Sequence, residues 1–117
     1  MDKSVQRSLD ELLRSLRQSS EYRAFEKARE TLDQDVSRRK KTDAFRRENY
    51  LLQNSERGAL PAEQEKMSAA CRKLREDPVI NTYLDAELAV CRTLRQVSLR
   101  IMDSIDLDLD CMEDILS

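Results

Sequence analysis

The sequence predicts an all-α fold: an elongated antiparallel bundle of about four helices, two long and two short, that associates into oligomers. Three observations carry this. Charged residues make up 38% of the 117 positions and aromatics 4%, with one Gly and no Trp, a mix that favours helix almost everywhere. Apolar residues recur at spacings of three and four along most of the chain. After Pro78 neither Gly nor Pro interrupts the sequence again. One helical domain, residues 1–117, is expected, small enough that oligomerisation helps to complete its core.

Val5, Leu9, Leu12, Leu13 and Leu16 share one helical face and predict a first amphipathic helix over about residues 3–17. "QSSEY" follows, where Ser19 or Ser20 can cap a second helix that carries Glu21 in its first turn. Tyr22, Phe25, Ala28, Leu32 and Val36 form the stripe this second helix should bury. Nothing stops it before "NSERGALP", where Gly58 suits a C-terminal cap and Pro61 a new start. A helix of about 30 residues would reach about 45 Å, more than the roughly 35 Å width of a compact globule of this size. Its stripe also changes sides, since Phe45, with Leu52 beneath it, points away from Val36, while Tyr50 returns near the first face. Two apolar faces need two neighbours, and the second is expected from another chain.

A short third helix, Pro61 to about Glu76, should turn Met67, Ala70, Cys71 and Leu74 inward. Asp77 is then a good N-cap and Pro78 fits the first helical position, where its missing N–H is not needed. Along the fourth helix Ile80, Tyr83, Glu87, Val90, Leu94, Val97 and Ile101 recur as a seam suited to packing along another rod. Leu84, Leu88, Cys91 and Met102 widen it, and the helix should end near Asp103 to Ile105. The last stretch, residues 105–117, "IDLDLDCMEDILS", reads as an irregular acidic tail or a short helical turn at "CMEDIL".

Composition narrows the function classes. With 21 basic and 23 acidic side chains the net charge is −2, so there is no global pull toward nucleic acid or anionic membrane. No apolar window is long enough for a secretory signal or a membrane span, and three widely spaced cysteines suit reduced thiols, so a cytoplasmic location is expected. The chain has no His, which removes the commonest general base and the usual zinc nitrogen ligand. No cofactor, metal or catalytic residue is expected.

Three features remain as candidates. Arg38, Arg39, Lys40, Lys41, Arg46 and Arg47 form a candidate basic patch for RNA, but they spread around their helix and lack a ladder of stacking aromatics, which favours a solvated helix surface. Asp103, Asp106, Asp108, Asp110, Glu113 and Asp114 form an acidic end with no basic residue, expected to meet that run in the same or a neighbouring protomer. Glu87, a carboxylate in an apolar seam, is expected to pair with Arg or Lys from a facing helix and so specify register. Cys71 and Cys91 read as small core residues. Cys111 reads as exposed, open to reaction or to sharing a cluster across subunits.

The order of features from Ser20 to Ile105 resembles the YlbF/YmcA family of small bacterial helical proteins. "SSEYRAFEKARETLDQDV", the later Phe45 and above all "LREDPVINTYLDAELAVCRTL" carry the likeness. The resemblance implies an elongated helical protein that forms dimers or tetramers. It also implies an accessory regulator of competence, biofilm formation and sporulation, in complexes linked to ribonuclease Y and messenger-RNA processing. Iron–sulfur clusters accompany those complexes, several of their cysteines lying in a C-terminal extension; here that end is acidic with Cys111 alone, so the cluster does not carry over. The expectation is a non-enzymatic cytoplasmic adaptor or regulator that contacts itself and other proteins, with no membrane and no small-molecule substrate. Its expected seam is Phe45, Leu52, Ile80, Tyr83, Glu87, Val90, Leu94, Val97 and Ile101. The alternative is an RNA-binding accessory protein using residues 38–47.

Overall fold

The computed structural model describes residues 1–112. It contains five α-helices: α1 Lys3–Arg17, α2 Ser20–Asp33, α3 Val36–Gln53, α4 Pro61–Leu74 and α5 Pro78–Ser104. Short 3-10 turns follow at Glu56–Ala59 and Asp110–Met112, and no strand occurs among the described residues. Local chemistry sets most boundaries. Ser19 accepts the Tyr22 amide at 3.3 Å while its hydroxyl donates to the Leu16 carbonyl at 2.6 Å, so one serine closes α1 and opens α2. Asp77 accepts the Val79 amide at 3.0 Å and Pro78 occupies the first position of α5, as expected.

The long second helix expected from the sequence is two helices, which makes the count five. Asp35 sits in an extended conformation (φ −125, ψ 107), and its carboxylate accepts the Arg38 amide at 3.1 Å, capping α3. An Asp with a free amide three residues on can end one helix and start the next without Gly or Pro. Val36, assigned to the buried stripe, is therefore the first residue of α3 and is 67% exposed. Gly58 is not the cap of a long helix either. It lies in the 3-10 turn, where a Cβ would stand 2.5 Å from the Leu52 carbonyl oxygen, so close backbone approach is what requires glycine.

One seam holds the core. From Tyr22 through Phe25 to Leu32 on α2, the facing residues on α5 run back from Leu94 through Tyr83 to Ile80, so the two helices are antiparallel. Ala28, Leu32, Ile80, Tyr83 and Leu84 are buried there, with Phe25, Leu74, Val79 and Ala86 packed against them. α4 joins this seam at an elbow, where Arg75 Nη1 donates to Asn81 and Asp85 of α5, each at 2.7 Å.

The molecule measures 47 × 37 × 19 Å with a radius of gyration of 18.4 Å, against about 13 Å for a compact chain of this length. It is elongated because it is flat and open, not because one helix forms a long rod. α1 buries no residue, and α5, about 40 Å long, runs far past the 14-residue α2 that covers it.

Packing on this small core should be correspondingly sensitive. Leu32→Ala, at a fully buried site, is expected to cost about 2–5 kcal/mol in urea unfolding, whereas exposed Val36→Ala should stay within about 0.5 kcal/mol.

Candidate functional site

The nine-residue seam expected for partners divides between two roles. Ile80 and Tyr83 are buried against α2, and Leu52 is buried as well, so these three serve the chain's own core. Phe45, Val90 and Val97 are half-buried, while Leu94 and Ile101 are exposed. Leu13, Leu16, Tyr22, Val90 and Leu94 line a cavity of about 180 Å³ where the end of α1 meets α2 and α5. Beyond that junction the apolar faces separate, leaving Val5 and Leu9 of α1 and Ile101 of α5 open to solvent. Exposed apolar side chains thus include Val5 and Leu9 of α1 and Leu88, Leu94, Leu99, Ile101 and Met102 of α5, besides Tyr50 and Leu51 of α3 and Leu60 before α4.

Three of the six residues of the basic run are engaged in ion pairs within the chain. Arg38 Nε donates to Asp77 at 2.7 Å and lies 3.9 Å from Asp35. Arg39 pairs with Asp33 at 3.4 Å and Asp43 at 3.2 Å, and Arg46 with Asp43 at 3.6 Å and Glu87 at 2.7 Å. The two guanidiniums of Arg39 and Arg46 lie 5.5 and 5.7 Å from the centroid of the Tyr83 ring, within cation–π range. Lys40, Lys41 and Arg47 form no ion pair among the described residues. Partial burial works against the Arg39 cation, but Asp43, Tyr83 and Asp33 outweigh it and its pKa is raised.

Glu87 meets an arginine from a facing helix, as the seam position implied. Its Oε2 is sealed from solvent and 2.7 Å from Arg46 Nη2, close enough for an ion pair yet without the alignment of a hydrogen bond. Fully buried Thr42 donates to the Arg38 carbonyl at 2.8 Å, so the inward face of α3 is polar: Arg39, Thr42 and Arg46. An apolar-stripe reading cannot find such a face. Its signal was the Arg39, Asp43, Arg46 spacing of four and three, which places all three side chains on one side of a helix.

The cysteines differ from expectation at one position. Cys71 is half-buried, but Cys91 is exposed because α5 faces solvent there, and Cys111 is exposed as expected. Among the described residues no group of three His, Cys, Asp or Glu side chains is placed to hold a metal. Asp103, Asp106, Asp108 and Asp110 are exposed and form no ion pair with the basic run of the same chain among the described residues. Glu113 and Asp114, and most of the "CMEDIL" turn, lie outside those residues. No described helix is long and apolar enough to cross a membrane.

A family model described as control of competence regulator ComK, YlbF/YmcA, matches residues 5–106. The chain belongs to the YlbF/YmcA family. The match spans all five α-helices apart from the start of α1 and stops where the acidic tail begins, so the YlbF/YmcA unit here is the helical part of the chain. Searches of curated proteins and of solved structures give no match. The YlbF/YmcA description is that of a regulatory family.

The Arg38–Asp77 latch gives a pH signature. Burial works to raise the Asp77 pKa, but hydrogen bonds from Arg38 and the Val79 amide outweigh it and hold the carboxyl below its ordinary value. The stability this pair supplies is present above the unfolded-state pKa of about 3.9 and is lost as pH falls through the lower folded value. Asp77→Asn keeps an N-cap acceptor and loses the charge. It should melt below wild type at pH 7, and the gap should close on acidification; a gap independent of pH would remove the latch from the account.

Proposed function

We propose that the chain is a non-enzymatic cytoplasmic regulator that works by protein–protein contact, its own copies among its partners. The observation that carries this reading is the uncovered apolar surface of α1 and the distal half of α5. Exposed apolar side chains gathered on one part of a monomer's surface commonly mark a site that another chain covers. Membership of a family described by control of a competence regulator supports a regulatory outcome, and the absence of His from the whole chain argues against general acid–base chemistry.

RNA binding is the weaker reading. Three of the six basic residues at 38–47 are engaged with carboxylates, which leaves Lys40, Lys41 and Arg47 as the groups that would meet phosphates. Retention on RNA that falls with salt and is lost on changing those three to Glu would favour it.

Ile101 is 52% exposed, so Ile101→Glu should leave helicity unchanged. The expected result is weaker self-association by light scattering, by roughly tenfold or more, together with failure to restore competence control in a deletion strain of the native host. A variant that loses association yet restores that control fully would overturn the reading.

A further inference from the structure

Charge along the distal part of α5 is ordered in a way the fold does not use. From Ala89 to Met102 the only charged residues are Arg92, Arg95 and Arg100; from Asp103 to the end of the chain all charges are acidic. None of these arginines, nor Asp103, Asp106, Asp108 or Asp110, forms an ion pair among the described residues. Asp103 also sits in the last turn of α5, which holds no basic residue, so it faces the negative end of the helix dipole without compensation.

At about 100° per residue, Leu88, Arg92, Arg95, Leu99, Met102 and Asp103 fall on one strip, opposite the face of Val90, Leu94, Val97 and Ile101 that turns toward α1 and α2. The strip is open: Leu99 is 51% exposed and Met102 61%. Its charges are self-complementary about one point. Arg95 and Asp103 lie four residues either side of Leu99, whereas Asp106 lies past the end of α5, where its Oδ1 accepts the Asp108 amide at 2.8 Å.

We propose that two copies of the chain pair antiparallel along this strip, with the two-fold axis at Leu99 and Arg95 of each copy opposite Asp103 of the other. A parallel pair would set arginine beside arginine and aspartate beside aspartate, whereas the antiparallel pair forms each contact twice, as an isologous interface must. Leu99 and Met102 supply the apolar contact at the centre. The flanking charges set direction and register more than affinity. Arg95 of the partner would also place a cation at the C-terminal end of α5, where the dipole favours one. A second copy fits better than an unrelated acidic or basic helix, because only a copy supplies both signs in reversed order at the same spacing.

The pairing rests on the reading of the chain as self-associating, and a charge exchange separates the two. One chain carries Arg95→Glu, the other Asp103→Arg. Each alone places like charges opposite one another and should self-associate at least tenfold more weakly than wild type by sedimentation, with helicity retained by circular dichroism. Mixed in equal amounts, the two should form a one-to-one dimer at near wild-type affinity, since both contacts then join opposite charges, one in the original sense and one reversed. If the mixture associates no better than either variant, or both variants associate like wild type, the strip is not the interface although self-association stands. A wild-type chain that stays monomeric at its highest soluble concentration would remove both.

Discussion

The structure depends on the surroundings of one side chain, Tyr83. It is 1% exposed, with the Phe25 ring of α2 at 5.5 Å and the guanidiniums of Arg39 and Arg46 of α3 at 5.5 and 5.7 Å. A contact of this kind contributes about 0.5–2 kcal/mol according to how dry the site is. Its geometric consequence is larger. α3 is held to α5 by long arginine side chains that reach the ring and then Glu87, and Asp33 and Asp43 keep those arginines in place. Tyr83 is therefore the point where α2, α3 and α5 meet, and the end of α4 is tied to α5 on either side of it by the Arg75 hydrogen bonds to Asn81 and Asp85.

That arrangement explains why six basic residues sit close together in a chain with little net charge. Arg38, Arg39 and Arg46 are structural cations whose carboxylate partners come from α2, α3, α5 and the cap of α5. A partly buried ion pair returns only a modest net free energy, because desolvation opposes the attraction. What it supplies here is alignment: an arginine facing Glu87 and another facing Asp77 allow one register of α3 on α5, where a wholly apolar stripe would tolerate several. Thr42, buried on the same face and satisfied by the Arg38 carbonyl, fits this account.

Much of the fold was legible because its signals are local. The limits of α1, the Ser19 junction and the Asp77–Pro78 start of α5 follow from capping chemistry within three or four residues. The break at Asp35 was not legible, since a single Asp in a run of good helix formers reads equally as a surface position until its carboxylate is seen on the Arg38 amide. The spacing on α5 defines a face, but it cannot say which chain covers it. Ile80 and Tyr83 turn to α2 of the same molecule, whereas Ile101, on the same face, is 52% exposed. Glu87 was found because a charge in an apolar seam is conspicuous; the Arg39 and Arg46 clamp was missed because charges on a charged helix are not.

The contrast between that clamped centre and the open ends bears on how such a chain regulates anything. α1 buries no residue along its length, and the last turns of α5 have solvent on both faces. Isolated helices of about 12–15 residues are marginal in water, so the order of the 15-residue α1 depends on what covers it, and the last turns of α5 fray more readily than its packed start, while the Tyr83 centre keeps its own packing. On the proposed reading, association and ordering of the arms are one coupled equilibrium, drawn from the low-stability end of the fold where binding elements must lie. The centre then carries no signal itself. Its part is to hold the roots of the two arms, Leu16 and Val90, at one junction, so that a partner meeting one arm finds the other at a set distance.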